Sequence, residues 1–141
     1  MSALDNHNAA IDALVESLAA AMPERYVQRS LVVPGTVARK KLQAGLVCVV
    51  SQGGGQFVNL IGRAADLGTV NVGLVGFVAV EDKSEAAEVE RAELTLLGEV
   101  LNWANTSPGA GLDVVEVLDW AQSQQLEHPF GWLVVKLAVK N

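Results

Sequence analysis

The sequence predicts an α+β domain, with a mixed or antiparallel β-sheet and two main helices packed on it. Two amphipathic helical segments and at least four segments rich in β-forming residues support this class. Their order along the chain is helix, strand, strand, an optional short strand, strand, helix, strand, strand, which is not a regular βαβ alternation. A length of 141 residues corresponds to one domain, spanning 1–141.

The first helix is predicted near the start of the chain and ends before Pro23, because the residue before a proline avoids helical dihedral angles. Ser2 or Asp5 can cap its start. Its apolar residues follow helical spacing and form one stripe: Ile11, Leu14, Val15, Leu18 and Met22.

Two strands are expected to follow, over Tyr26–Val33 and Gly45–Ser51. Pro34 and Gly35 close the first, and Arg39-Lys40-Lys41 is predicted to be a basic loop between them. The second strand is continuously apolar, which indicates burial on both faces. Gly53-Gly54-Gly55 then predicts a flexible break.

The strongest strand prediction covers Thr69–Val80, where Gly73 and Gly76 suggest a bulge or a close approach of another backbone. Before it, Phe57–Ile61 reads as a short strand or an extension of the next one, and Gly62–Gly68 as a loop.

The second helix is predicted from an N-cap at Ser84 to about Asn105. Its apolar face consists of Val89, Ala92, Leu96, Val100 and Trp103, widened by Leu97, Leu101 and Ala104.

The last two segments differ in clarity. Leu112–Trp120 fits a strand or a helix, and its β-branched residues favour the strand. Phe130–Lys140 alternates as a strand, and Lys136 and Lys140 are expected to discourage pairing at an exposed edge.

Composition excludes several classes of protein. Half of the residues are hydrophobic and 18% are charged, so the chain is not intrinsically disordered. Ten basic against sixteen acidic residues, a net charge of −6, argue against a phosphate-binding groove and an anionic membrane surface. The longest uncharged run, Leu67–Val80, is too short for a membrane-spanning helix. The first residues lack the basic lead and apolar core of a signal peptide.

No residue pattern predicts a catalytic, cofactor or metal site, and the chain is not expected to be an enzyme. His7 and His128 have no second ligand at metal spacing and read as solvated histidines. Cys48 lies within an apolar strand and reads as a small core residue, not a nucleophile. The three glycines have no following lysine, so they do not form a phosphate loop. The acidic groups, including Glu85, Glu88, Glu90 and Glu93, read as solvated helix faces.

Three features are candidates for contacts with other subunits or with a partner. Arg39, Lys40 and Lys41 form the basic cluster, which could dock an acidic partner or a passing phosphate backbone. The glycine-rich segment Gly53, Gly54, Gly55, Gln56 and Phe57 could become ordered when a subunit docks. Trp132 lies on the mixed face of the last strand, where tryptophan is typical of an interface hot spot. Trp103 continues a core stripe, and Trp120 receives no assignment.

The order of elements resembles a family of phage proteins. An amphipathic helix and a strand with its turn lead to GLVCVVSQGGG, then to TVNVGLVGFVAVEDKS, then to the acidic helix SEAAEVERAELTLLGEVLNWANT, and finally to FGWLVVKLAVKN. This arrangement is similar to the tail terminator proteins of long-tailed phages, namely the lambda-type minor tail protein U group and the tail-completion proteins of Mu-like phages. The resemblance covers nearly the whole chain but contains no motif that transfers a functional residue.

The resemblance implies a structural role in the virion, at the head–tail junction, after assembly in the host cytoplasm. Such subunits form a ring, expected to be hexameric, that caps the head-proximal end of the tail tube. The ring stops tube polymerisation and joins the tail to head-completion proteins. The implied partners are other copies of the chain, the tube protein and the head-completion protein. Genome DNA would pass through the lumen without specific binding, since an acidic subunit repels it.

Three alternatives remain open from the sequence. Another neck-ring or head–tail joining protein would share the ring, whereas a small acidic secretion-type chaperone would be a dimer. A small enzyme with an unrecognised site would instead show a ligand-sized cavity with convergent polar groups.

Overall fold

The computed structural model describes residues 3–55, 69–106, 114–124 and 127–140, and it confirms the predicted α+β class. Its elements, in chain order, are α1 (Ala3–Ala21), β1 (Tyr26–Arg29), a 3-10 turn (Pro34–Thr36), α2 (Arg39–Ala44), β2 (Leu46–Gly55), β3 (Thr69–Ala79), α3 (Ala86–Asn105), β4 (Val114–Gln122) and β5 (Phe130–Lys140).

The five strands form one mixed sheet in the order β1-β2-β3-β5-β4. β1 runs parallel to β2, and the pairs β2–β3, β3–β5 and β4–β5 are antiparallel. β1 and β4 are therefore the two edges of the sheet, and they run in opposite directions. β5 lies between β3 and β4, so the prediction that Lys136 and Lys140 protect an edge strand is wrong.

Helices α1 and α3 pack on the same face of the sheet, here called the helix face. The main core lies there because alternate residues of the strands meet the apolar stripes of both helices. It includes Leu14 and Leu18 of α1, Val47 and Val49 of β2, Leu74 of β3, Leu96 and Val100 of α3, and Leu133, Val135 and Leu137 of β5. As predicted, Trp103 is buried in this core, and its Nε1 donates to Ser17 Oγ at 2.8 Å, which joins the two helices.

The opposite face, here called the outer face, carries a smaller core under α2. Leu42 of α2 packs with Leu46, Cys48 and Ala79 of the sheet. The end of α2 is held by Arg25, whose Nη1 donates to Ala44 O at 2.9 Å and which forms an ion pair with Glu99. α2 therefore covers the smaller core and extends from β3 towards the β1 edge.

Most strand and helix predictions are confirmed, with two corrections early in the chain. β1 ends at Arg29 and not at Val33, since Ser30 has a positive φ of 71° and the chain leaves the sheet there. Arg39–Lys41 begins a helix and is not a loop. Residues 39–44 are mostly good helix formers, and burial of Leu42 stabilises this short helix.

Two further predictions are corrected at the ends of elements. Gly53–Gly55 belongs to β2, where pairing with β3 needs only backbone groups, and a register shift lies between Ser51 and Gly54. The N-cap position of α3 is Glu85 and not Ser84, and the Glu85 side chain makes no capping hydrogen bond. The ambiguous segment near Trp120 is the strand β4, as favoured by its β-branched residues. The predictions for 57–61 and 62–68 lie outside the described residues.

Candidate functional site

The first residue of the predicted basic cluster, Arg39, makes its contacts within the chain. Its Nη2 donates to Val80 O and to Asp82 Oδ1, both at 2.7 Å, and its guanidinium lies 5.4 Å from the ring centre of Phe130. The hydrogen bond from Arg39, and then its positive charge, lowers the pKa of Asp82 below its usual value. Arg39 therefore fixes α2 to the end of β3.

The other two basic residues face solvent close to the β1 edge. Lys40 and Lys41 are exposed, and Lys41 Nζ lies 5.2 Å from the ring centre of Tyr26 in β1. Tyr26 is aligned with Leu46, which belongs to the outer-face core, so this ring also lies on the outer face. The outer face thus carries positive charge beside its β1 edge.

Trp132 lies at the same end of the sheet as Arg39. It is half-buried on the outer face, opposite Phe77 of β3, and it follows Phe130 by two residues on the same side of β5. Arg39 and Trp132 therefore lie at the same end of the outer face, which the sequence did not predict.

The glycine-rich segment lies at the other end of the sheet. Leu46 pairs with Phe77 at the α2 end, whereas Gly54 pairs with Val70 at the far end. At about 3.3 Å per residue, these two ends are roughly 25 Å apart along the strand. The structure thus divides the predicted contact residues between two ends of the sheet. Gln56 and Phe57 lie outside the described residues.

Exposed apolar side chains occur in the edge strand β4 and just after the edge strand β1, which the sequence analysis did not predict. Leu118 and Trp120 of the edge strand β4 are 52% and 50% exposed, and Leu31 and Val33, which follow β1, are 59% and 68% exposed. Leu118 is the extra residue at which β4 shifts its register with β5, between Val117 and Asp119, and this pairing is visible only in the structure.

The position of Glu93 in α3 shows that the prediction of solvated carboxylates along this helix is wrong for one residue. It is fully buried in the described structure and accepts hydrogen bonds from Ser123 Oγ, from Gln122 Nε2 at 3.3 Å and from the Trp132 backbone N–H at 2.9 Å. Its position could have been found, since Glu93 follows Val89 by four residues within the apolar stripe. The carboxylate fastens α3 to the ends of β4 and β5.

The prediction that His128 is solvated is wrong, because this side chain is half-buried and its Nε2 lies 2.5 Å from Ser84 O.

Among the described residues no group of three His, Cys, Asp or Glu side chains is placed to hold a metal ion. A depression of about 400 Å³ is lined by Gln43, Ala79, Val80, Glu81, Ser84 and Glu88.

Cys48 is buried in the outer-face core, as predicted, and burial raises the pKa of its thiol above the ordinary value of 9.0. We expect the native thiol to react with a soluble disulfide reagent at least about tenfold more slowly than the unfolded chain. Because folding raises the pKa of Cys48, its contribution to the free energy of unfolding is complete at pH values below the thiol pKa of the unfolded chain. This contribution is lost as the pH rises through the thiol pKa of the folded protein. Reaction rates in native buffer and in denaturant, followed by absorbance, test this expectation; equal rates would contradict it.

Comparison with known proteins gives no match, since neither a protein-family model nor a curated protein corresponds to this chain. Within the described part of the chain, no helix is both long and apolar enough to cross a membrane. The geometry of the sheet edges and ends is therefore what bears on function.

Proposed function

We propose that this chain is a structural subunit of a phage tail terminator, which assembles into a ring, expected to be hexameric, at the head-proximal end of the tail tube. The ring would stop tube polymerisation and join the tail to head-completion proteins. The order of elements supports this role through its resemblance to tail terminators. The observation that carries the proposal is a single mixed sheet whose two edges, β1 and β4, are unlike.

Two unlike edges permit a head-to-tail ring. A two-fold interface joins identical surfaces, whereas a head-to-tail interface joins different surfaces and closes when the rotation between copies allows it. Rotation about an axis parallel to the strands keeps every strand direction. Because β1 and β4 run in opposite directions, adjacent copies in such a ring would present antiparallel edges.

The separation of the candidate residues fits a ring with two working faces. With strands along the ring axis, the α2 end, which includes Arg39 and Trp132, would form one face, and the Gly53–Gly55 end would form the other. One face would meet the tube protein and the other the head-completion protein. The net charge of −6 would let DNA pass without sticking.

The proposal predicts rings in solution or at the tube end. The test is light scattering over a wide concentration range, with and without magnesium, combined with negative-stain imaging of the same samples. We expect rings with a central hole, and a strict dimer at every concentration would contradict the proposal.

A capping assay tests the terminator function even if the chain does not form rings by itself in solution. Assembled tail tubes that still accept tube protein are mixed with the chain, and further elongation is measured by electron microscopy. We expect elongation to stop and density to appear at one tube end. Continued elongation at saturating protein would contradict the terminator role, including the case of a neck ring that does not bind the tube.

A further inference from the structure

We infer that copies of this chain join by adding β4 of one subunit to β1 of the next, so that a second copy is the partner of each sheet edge. The inference rests on the proposed ring and specifies its interface. Such strand addition satisfies the open backbone groups of both edges.

Exposed apolar side chains mark these edges. Among the described residues, seven large hydrophobic side chains are exposed. Three of them, Tyr26, Leu118 and Trp120, lie in the edge strands, and Leu31 and Val33 lie in the segment that leaves the sheet after β1. The other two are Leu94 on α3 and Phe130, which Arg39 covers on one side. Large apolar residues concentrated at two separate edges indicate surfaces that become buried on assembly.

The strand registers place the short strand β1 at the same height as the last residues of β4. Successive pairings place Arg29, Val49, Leu74, Val135 and Trp120 in one row across the sheet. A copy added at the same height would therefore bring its Arg29, whose guanidinium is held by Asp12 and Asn8 of α1, opposite Trp120. At this height Val27, Gln28 and Arg29 of β1 would face Gln122, Ala121 and Trp120 of β4.

Charge distinguishes this pairing from self-pairing of β4. β4 contains Glu116 and Asp119 and no basic residue. Both acids lie on the outer face, since they are aligned with Ala138 and Lys136. On the same outer face, Lys41 of α2 is exposed beside Tyr26 of β1, and Lys40 precedes it, whereas Arg29 of β1 lies on the helix face and is ion-paired with Asp12 of α1. Two β4 edges together would place acid beside acid, whereas β4 beside β1 brings opposite charges together.

Two variants, each altered at one edge, test the interface. The β4 variant carries Leu118→Lys and Trp120→Lys, and the β1 variant carries Tyr26→Glu and Lys41→Glu. All four positions are exposed, and the matched control is Leu94→Lys, at an exposed apolar position away from both edges. Circular dichroism and thermal unfolding, compared with the wild type, verify that each variant is folded.

We expect each edge variant alone to assemble at least about tenfold more weakly than the wild type, because exposed apolar anchors at an interface carry much of its affinity. Mixing the two variants should restore pairing as a one-to-one heterodimer, since the intact β1 edge of one then meets the intact β4 edge of the other. The control should assemble as the wild type does.

Three results would overturn the interface. The first is wild-type assembly by both folded edge variants, and the second is dimerisation of the β1 variant alone, which would indicate β4 self-pairing. The third is a wild-type chain that stays monomeric at its highest attainable concentration, because it contains both edges. Tube capping by the wild type separates this failure from failure of the proposed function.

Discussion

Replacing Glu93 by alanine is expected to lower the free energy of unfolding by about 2–4 kcal/mol, because it leaves three donors that face its carboxyl group without their acceptor. The donors are Ser123 Oγ, Gln122 Nε2 and the Trp132 backbone N–H. β5 packs directly against this carboxyl group, since a Cβ added at Gly131 would lie 2.5 Å from Glu93 Oε2. Chemical denaturation followed by circular dichroism measures the loss.

The matched control is Glu90→Ala, an exposed glutamate on the same helix, for which we expect a change within about 0.5 kcal/mol. Glu93→Gln keeps one acceptor oxygen but turns the other into a donor facing donors, so its loss should lie between those of the control and Glu93→Ala. A loss for Glu93→Ala no larger than that of the control would show that the buried network adds no stability.

Replacing Leu96 by alanine is expected to lower the free energy of unfolding by about 2–5 kcal/mol, since it leaves a cavity between α3 and the sheet. Leu96 is fully buried, and it lies over Gly76, where an added Cβ would come 2.8 Å from Leu96 Cδ2. Gly76→Ala alone should therefore destabilise by overpacking, by about 1–3 kcal/mol.

Combining Leu96→Ala with Gly76→Ala should be less harmful than the sum of the single changes by at least about 1 kcal/mol, because the new methyl group enters the space that Leu96 vacates. The control is Gly98→Ala in α3, where nothing lies within 4 Å of the added Cβ. That change should stabilise the helix by about 0.5–1 kcal/mol. Strict additivity of the first pair would show that the two sites are not in contact.

Local patterns were sufficient where an element's own side chains determine its structure. The stripe of Leu14 and Leu18 predicted α1, and the alternation of Leu133, Val135 and Leu137 predicted β5. They were insufficient where a distant segment supplies the partner. Leu42 stabilises α2 only because Leu46 and Ala79 lie beneath it, and Gly53–Gly55 is a strand because β3 pairs with it.

The sequence by itself determined the α+β class, the two long helices, the burial of Cys48 and Trp103, and the acidic charge. Periodicity and composition act over neighbouring residues, so they can be read without a fold. Only the tertiary structure decided which strands are edges, how Trp120 is aligned with Arg29 across the sheet, and that Glu93 is buried. These depend on strand order and long-range packing, whose partners are set by the whole chain and not by the spacing of nearby residues.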